Sequence, residues 1–378
     1  MASIHKHDRG WIVRWEGGRD VNGKRVRRSK VLKNHSDAKE YRNRIAATEG
    51  RSSDSAPLSK CMLEWIDQRE DMRTISPKTA ERQRNIARNL GKCLGDPLIH
   101  KVDARAVNHS MIQLGKGGGH SGRPLAARTV MHHRTLLSQF CRTLVAQGRI
   151  PRNPVDGTER INLPKVRAEA PTIEQVEALL ALCSRSAKCN GLLRLIVLTA
   201  LHTGARRGEI LALRWKDLDI NSRTLSILRS IEQTSSHGLR FKAPKTQAGR
   251  RIIPCSGTLI SALSAHRVAQ AEQRIGAGPA WADNDLIFSN ALGEAISPEE
   301  VSRSVGLMAR KAGFMENVAP LHGLRHLHGT QLNAAGMDAK TIQTRLGHQD
   351  ISITLQLYVH PDDKNSRRAA DVFEGVGE

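Results

Sequence analysis

The C-terminal part of the chain carries a series of side chains that can handle a phosphate group. His322 and Arg325 lie three residues apart, His348 follows a Leu-Gly pair, and Tyr358, one of only two tyrosines, comes ten residues after His348. Residues three apart share one face of a helix, so His322 and Arg325 are predicted to contact the same phosphate. The pattern indicates a site where arginine and histidine hold a phosphate while the tyrosine hydroxyl attacks it.

Two further basic residues precede this series. Gly204, in the segment HTGAR, suits the end of the apolar helix before it, which would place Arg206 on a sharp turn. A guanidinium group held there can bind two phosphate oxygens at once. Lys245 is predicted in a turn region between two strands, from which it can either reach into a minor groove or protonate a leaving alkoxide, with Lys242 as the alternative for the proton donor. Taken singly, Arg206 and Lys245 are equally typical of solvated surface residues.

The combination predicts phosphoryl transfer by a covalent route. Such a reaction must stabilise the non-bridging oxygens, activate a tyrosine hydroxyl, whose pKa is ordinarily about 10, and protonate the leaving oxygen. Six residues supply these functions: Arg206, Lys245, His322, Arg325, His348 and Tyr358. A cluster of four histidines, His322, His326, His328 and His348, would also suit zinc. No HExxH motif is present, however, and the neighbouring Arg325 and Arg345 would repel a cation. We therefore expect neither a metal ion nor a cofactor.

The composition indicates the class of partner. The chain has 378 residues, 39% of them hydrophobic, and 59 Lys and Arg against 37 Asp and Glu, a net charge of +22. Such a charge attracts polyanions, so nucleic acid is the expected partner; the alternative is a basic protein that binds RNA non-specifically. The six cysteines form no CxxC pair, and we find neither an apolar stretch of membrane-spanning length nor a signal peptide. We therefore expect a cytoplasmic protein with no membrane partner.

The first segment, residues 1–50, is small and basic. Residues 11–15 alternate at strand spacing, Asn22-Gly23 favours a hairpin turn, and a cationic strand is predicted at 26–31. Ser36 is predicted to cap a helix that follows. A basic sheet with one helix suits the reading of a DNA groove, although a solvated basic hairpin would have the same pattern.

A polar linker at 51–57 precedes a stretch that is predicted to be entirely helical, residues 58–157. Its helices include one that begins at Pro77 and a long one at about 125–147. The run 115–122 is rich in glycine, but it lacks the GK[ST] ending of a phosphate-binding loop. We interpret that run as a connector between helices.

The third segment, residues 172–378, is predicted to combine helices with a few strands. A capping box begins a helix at Thr172, a buried helix spans 192–202, and strands are expected at 225–228 and 251–253. Lys245 would lie in the turn region between those two strands, and helices resume after them. The expected fold class is therefore multidomain and mainly α with small β-sheets.

Four stretches of the third segment resemble the tyrosine recombinases, also called the phage integrase family. They are HTGARRGEILALRW, PKTQAGRRIIP, LHGLRHLHGTQL and LGHQDISITLQLYVHP, and they occur in the family's order. The resemblance implies a mixed α+β catalytic domain that cuts and rejoins DNA without ATP or a metal ion. Three residues would bind the scissile phosphate: Arg206, Arg325 and His348. Lys245 is implied as the general acid, His322 as an aid to proton transfer, and Tyr358 as the residue that forms the 3′-phosphotyrosine.

The resemblance extends by analogy to the first two segments. Residues 58–157 are similar to the helical, SAM-like core-binding domain, which closes over DNA, and residues 1–50 to the arm-type DNA-binding domain of integrases. This implies an integrase of a prophage, an integrative element or a transposon, acting as a homotetramer on double-stranded DNA attachment sites. The tail at 363–373 is expected to be a helix that packs onto a neighbouring subunit. A directionality factor and a DNA-bending host protein are further candidate partners.

Two other functions fit parts of the pattern. A type IB topoisomerase uses nearly the same residues, but it would act as a monomer without site preference, and the arm-like segment argues against it. A purely DNA-binding regulator would explain the net charge of +22, but not the order of arginine, histidine and tyrosine. Relaxation of a plasmid without an attachment site would favour the first, and recombination that survives loss of Arg206 the second.

Overall fold

The computed structural model describes residues 3–7, 10–19, 25–49, 56–118, 122–159, 161–162, 170–184, 191–244, 247–315 and 319–358. Within these ranges the chain is mainly helical and has three small antiparallel sheets. It forms two compact units, Met1–Lys165 and Val166–Glu378. None of the helices in the described ranges is long and apolar enough to cross a membrane.

The first unit begins with a three-stranded antiparallel sheet and one helix. In chain order these are β1 (Ser3–His7), β2 (Gly10–Arg19), β3 (Arg25–Leu32) and α1 (His35–Glu49). The central strand is β2, which contains the predicted strand residues 11–15. Val13 and Ala38 are buried where α1 covers the sheet, and the rings of Trp15 and Tyr41 meet edge to face with centroids 5.7 Å apart.

The predicted strands of this sheet are confirmed, while the predicted cap of the helix is wrong. Helix α1 begins at His35, so Ser36 lies inside its first turn and is not its N-cap, because the amide of Ala38 already donates to the carbonyl of Asn34 at 3.1 Å. The predicted turn at Asn22-Gly23 lies outside the described residues.

The rest of the first unit is a helical bundle, which confirms the helical prediction for the described part of 58–157. Its α-helices are α2 (Leu58–Asp71), α3 (Pro77–Leu94), α4 (Ala104–Lys116) and α5 (Ala127–Ala146). Pro77 begins α3 as predicted, and the Ser76 hydroxyl before it accepts from the amide of Thr79 at 3.3 Å. The Asp96 carboxylate accepts from the amide and hydroxyl of Ser59, at 2.8 and 2.7 Å, and so fixes the start of α2.

The second unit is built around a buried helix. Its α-helices are α6 (Ile173–Ser184), α7 (Leu192–Thr203), α8 (Arg207–Ile210), α9 (Gly257–Ala277), α10 (Pro298–Lys311), α11 (Pro320–Ala334), α12 (Ala339–Leu346) and α13 (Ile351–Tyr358). The apolar α7 packs against α6, α9, α10 and α11, so its last turn is held rigidly. The predicted capping box is confirmed, since the Thr172 amide donates to Oε1 of Gln175 at 2.9 Å and the Gln175 amide donates to the Thr172 hydroxyl at 3.3 Å.

The strands of the second unit depart from the prediction in one respect. Strands β4 (Leu218–Asp219), β5 (Thr224–Ile227) and β8 (Arg251–Pro254) form one antiparallel sheet, so the two predicted strands do pair. A turn does not join them, however. The hairpin β6 (Ser230–Thr234) and β7 (Gly238–Lys242) lies between them, because Thr234 and Gly238 close a tight reversal within a polar run. Lys245 therefore follows β7 in sequence and is not the tip of a β5–β8 hairpin.

Candidate active site

The site is built around the turn that ends α7. Gly204 has φ of 61°, in the left-handed region that glycine tolerates best. A Cβ atom at Gly204 would lie 2.6 Å from Cδ2 of Leu346 and 2.8 Å from Cδ2 of His328. The glycine therefore lets the end of α7 approach α11 and the end of α12, and it directs the chain into Arg206.

Arg206 precedes the short helix α8 and is fixed on two sides. Its main-chain amide donates to Oε2 of Glu209 at 2.9 Å, and its Nη1 donates to Oε1 of the same carboxylate at 2.8 Å. Its Nη2 donates to the carbonyl of Gly347 at 3.2 Å. The side chain is nevertheless 47% exposed, so this oriented guanidinium group is accessible to an anion.

Glu209 and Arg251 form a buried ion pair that the sequence did not predict. Nη2 of Arg251 donates to Oε2 of Glu209 at 2.8 Å, and the two side chains are only 3% and 5% exposed. Arg251 also donates to the carbonyls of Gly249 and Arg345, at 3.2 and 2.8 Å. Burial tends to raise the pKa of Glu209, but bonding and charge from Arg251 and Arg206 lower it below its ordinary value. The pair thus joins α8, β8 and the end of α12.

Arg325 lies on the buried face of α11 and is 3% exposed. Its Nη1 donates to the carbonyl of Gly204 and its Nη2 to the carbonyl of Leu346, both at 2.6 Å. These two carbonyls belong to the turns that lead into Arg206 and His348. Arg325 therefore holds the two turns together and brings its own positive charge beside both residues.

Two histidines of α11 lie against the arginines. The rings of His322 and His326 meet edge to face, with centroids 4.6 Å apart. Burial, followed by the charges of Arg325 and Arg206, lowers the pKa of His322. Burial, followed by His322 and Arg325, lowers the pKa of His326 to about 4. Both rings are therefore neutral near pH 7, and His322 lies within the field of both arginines.

His348 follows Gly347, whose φ of 66° ends α12 in the left-handed region. The ring is buried, and its Nδ1 lies 2.9 Å from Oγ1 of Thr354 on α13. Burial, and then the charges of Arg325 and Arg206, lowers its pKa to about 4. His348 is therefore a neutral imidazole that borders the same two guanidinium groups as His322.

His328, which a zinc site would require, has a structural role instead. Its Nδ1 lies 2.7 Å from the carbonyl of Leu201, and its Nε2 accepts from Nε of Arg345 at 3.0 Å. Burial, and then the charge of Arg345, lowers its pKa to about 4, so the ring is neutral. Its Nδ1–H donates to the carbonyl of Leu201, and its Nε2 is the acceptor. Among the described residues, no cluster of three or more His, Cys, Asp or Glu side chains is placed to hold a metal ion.

Two of the six predicted residues are not fully described. Lys245 lies outside the described residues. Tyr358 is the last residue of α13, and its side chain is outside the described part of the chain. The alternative lysine, Lys242, forms an ion pair with Glu232 on the neighbouring strand β6, and Arg240 lies 3.6 Å from the same carboxylate. That pairing ties the amino group of Lys242 to the hairpin.

The structure thus brings four predicted residues together: Arg206, His322, Arg325 and His348. It adds three that the sequence did not predict: Glu209, Arg251 and Thr354. The sequence signal for Glu209 was its position three residues after Arg206, and that for Arg251 was its position at the start of a predicted strand. Neither signal shows which residue the side chain contacts in the fold. Guanidinium groups combined with neutral imidazoles offer several donors to one multi-oxygen anion, as a phosphodiester requires.

Residues 172–365, just over half of the chain, match the phage integrase family. The chain belongs to this family. It is a tyrosine recombinase, an enzyme class that cuts and rejoins DNA, so the identification from the four sequence stretches is confirmed. The matched residues include all six predicted site positions.

The chain is also similar to individual recombinases along most of its length. It is 26% identical over 386 residues to a XerC-like tyrosine recombinase of Caldanaerobacter subterraneus subsp. tengcongensis, covering 95% of this chain and 94% of the relative. Its fold resembles that of the Tn1549 transposon integrase in complex with a circular intermediate DNA, with a TM-score of 0.69, 21% identity, and 84% and 100% coverage. A lambda integrase dimer bound to a core site gives a TM-score of 0.58 at 19% identity, covering 96% of this chain and 95% of that one.

Proposed function

We propose that this tyrosine recombinase is an integrase that cuts and rejoins double-stranded DNA at attachment sites through a 3′-phosphotyrosine bond. The observation that carries the proposal is the convergence of Arg206, His322, Arg325 and His348 beside the helix that ends at Tyr358. The net charge of +22 supports a polyanionic substrate. The integrated or excised DNA would be a prophage, an integrative element or a transposon.

The arginines would hold the scissile phosphate from two sides. Arg206 is oriented by Glu209 and partly exposed, and Arg325 is oriented by the main-chain carbonyls to which its Nη1 and Nη2 donate. Such pre-oriented donors stabilise the negative charge that develops on the non-bridging oxygens, and they need no rearrangement during the reaction. His348 would add a further hydrogen bond to the phosphate.

The remaining steps are proton transfers. Tyr358 would attack the phosphorus while the 5′ oxygen leaves, so that one P–O bond forms as another breaks. His322, which is neutral near pH 7, would accept the phenolic proton, and Lys245 would donate a proton to the leaving 5′ oxygen. Attack by the 5′ hydroxyl of a second strand would reverse these steps and release the tyrosine.

The first unit would supply the rest of the DNA contacts. We assign residues 58–157 to core-site binding and residues 1–50 to arm-type sites, with residues 172–378 as the catalytic domain. The strand exchanges would take place in a homotetramer on two DNA duplexes. A directionality factor and a DNA-bending host protein are proposed accessory partners.

Trapping of a covalent complex tests the assignment. The substrate is a duplex that carries the junction of the mobile element encoding the chain, with a nick that lets the cleaved end diffuse away. The wild type should give a denaturant-resistant complex on the 3′ phosphate, and Tyr358→Phe should give none. Tyr41→Phe is the matched control, because it removes the chain's only other tyrosine hydroxyl and keeps the ring against Trp15.

The outcomes separate the candidate functions. A complex that persists in Tyr358→Phe would show that another residue is the nucleophile. Binding without any covalent complex in the wild type would indicate a DNA-binding protein. Relaxation of a supercoiled plasmid without the junction would instead indicate a topoisomerase of type IB.

A further inference from the structure

The hydrogen bond between His348 and Thr354 links two elements of the site. Thr354 is fully buried in α13, and its hydroxyl oxygen lies 2.9 Å from Nδ1 of His348. Tyr358 comes four residues later, at the end of the same helix, which is a rise of about 6 Å. The contact therefore joins the histidine beside the arginine cluster to the helix that ends at Tyr358.

The direction of this hydrogen bond follows from the burial of the hydroxyl. Other threonines of this unit, such as Thr199, Thr203 and Thr344, donate to the carbonyl four residues earlier in their helices. Within the described residues, the Thr354 hydroxyl instead has Nδ1 of His348 as its partner. If Nδ1 carried the ring proton, the buried Thr354 proton would have no acceptor there, at a cost of about 1–3 kcal/mol. The hydroxyl therefore donates to Nδ1.

This direction fixes the tautomer of His348. A neutral imidazole has one N–H, so an Nδ1 that accepts from Thr354 leaves the proton on Nε2. Its burial, and then the charges of Arg325 and Arg206 beside the ring, keep it neutral near pH 7. A phosphate oxygen can only accept hydrogen bonds, so the Nε2–H tautomer is the one that can bind it.

We propose that Thr354 is a positioning residue that holds His348 in the Nε2–H tautomer and anchors the helix of Tyr358 to the arginine cluster. The second half of this assignment rests on the proposed function of Tyr358 and His348. The tautomer itself is a property of the free protein. Thr354 would thus make phosphate recognition by His348 depend on the docking of α13.

The tautomer can be measured without DNA. The full-length chain is labelled with ¹⁵N-histidine, and the His348 ring signals are assigned by their loss in His348→Gln. At pH 7 we expect a protonated Nε2 and an unprotonated Nδ1 in the wild type and in Thr354→Ser, which keeps the hydroxyl. Thr354→Val, which has nearly the same shape, should give the Nδ1–H form or a mixture. An Nδ1–H ring in the wild type, or an unchanged ring in Thr354→Val, would overturn the proposal.

Covalent trapping on the nicked junction duplex tests the consequence for catalysis. Thr354→Val should form the complex about 10- to 100-fold more slowly, the loss seen when the supporting partner of a ligating histidine is removed at metal sites. Its affinity for the duplex should stay within about twofold, and Thr354→Ser should recover most of the rate. Thr344→Val is the matched control, since that exposed hydroxyl donates to the carbonyl of Lys340 in its own helix, at 2.9 Å, and the rate of this variant should be unchanged.

The two measurements fail in different ways. Absence of a covalent complex in the wild type would refute the proposed function and leave the tautomer result standing. A wild-type complex with an equal rate in Thr354→Val would refute the positioning role alone.

Discussion

Replacing Arg251 by alanine should destabilise the second unit strongly, although Arg251 is not expected to touch DNA. The change removes the buried partner of the Glu209 carboxylate, which is 5% exposed and keeps only the half-exposed Arg206, and it removes the Arg251 donor from the carbonyls of Gly249 and Arg345. Removal of one partner of a buried pair costs about 3–5 kcal/mol, because the other charge stays buried. For a unit of this size, each kcal/mol lowers Tm by about 2–4 °C, so we expect a decrease of roughly 6–20 °C.

The chain contains a matched control for this substitution. Arg274 and Asp283 also lie 2.8 Å apart, but their side chains are 58% and 61% exposed. Water screens such a pair, so Arg274→Ala should cost about 0–1 kcal/mol. Both variants are compared with the wild type by thermal and urea unfolding. The transition of the second unit is followed by the fluorescence of its two tryptophans, Trp215 and Trp281.

The pH dependence gives a second check on the same pair. The pKa of folded Glu209 is lowered from its ordinary 4.5, so the pair stabilises the fold above that pH. That stability is lost as the pH falls through the lowered folded value. The difference between wild type and Arg251→Ala should therefore be full at pH 7 and shrink below about pH 4.5. Equal costs for Arg251→Ala and Arg274→Ala at pH 7, or a difference that does not shrink in acid, would refute the reasoning.

Two further predictions concern the turn before Arg206 and the binding of DNA. Gly204→Ala should lower the free energy of unfolding in urea clearly more than Gly238→Ala does. Both glycines have φ near 60°, but of the two only a Cβ at 204 meets side chains, at 2.6 and 2.8 Å. Equal losses in the two variants would contradict this packing. DNA affinity should fall steeply with salt, with a log–log slope of about −0.9 per neutralised phosphate, and a flat response in a filter-binding or anisotropy titration would contradict the electrostatic basis of binding.

The polar positions of the site could be predicted from sequence because each one lies in a short motif whose internal spacing is local. Gly204 marks the end of α7, and its left-handed φ confirms that interpretation. His322 and Arg325 are three residues apart on one helix, so their proximity needed no tertiary information. The order of the motifs along the chain then identified the family.

The supporting contacts could not be predicted because each one joins elements that are distant in sequence. Glu209 and Arg251 meet only when β8 packs beside α8, and no local spacing reports that approach. The hairpin β6–β7 was missed because its strands are short and polar, and its exposed Leu239 and Phe241 give a weak alternation. The sequence alone therefore predicts which groups act, and the fold is needed to identify the groups that hold them.

Burial is the first cause of the neutral state of His322 and His348, and the charge balance of the site reinforces it. Three guanidinium groups, those of Arg206, Arg251 and Arg325, converge there, and the carboxylate of Glu209 pairs with two of them. Added protons on His322 or His348 would increase this repulsion, which is why the arginines lower both pKa values. Neutral imidazoles can still donate one hydrogen bond each, so they extend the set of donors without adding charge. In the proposed function, an anion offsets the guanidinium charge while the histidines supply direction. The Thr354 hydroxyl, 2.9 Å from Nδ1 of His348, is the neutral partner that we propose fixes the tautomer of that ring.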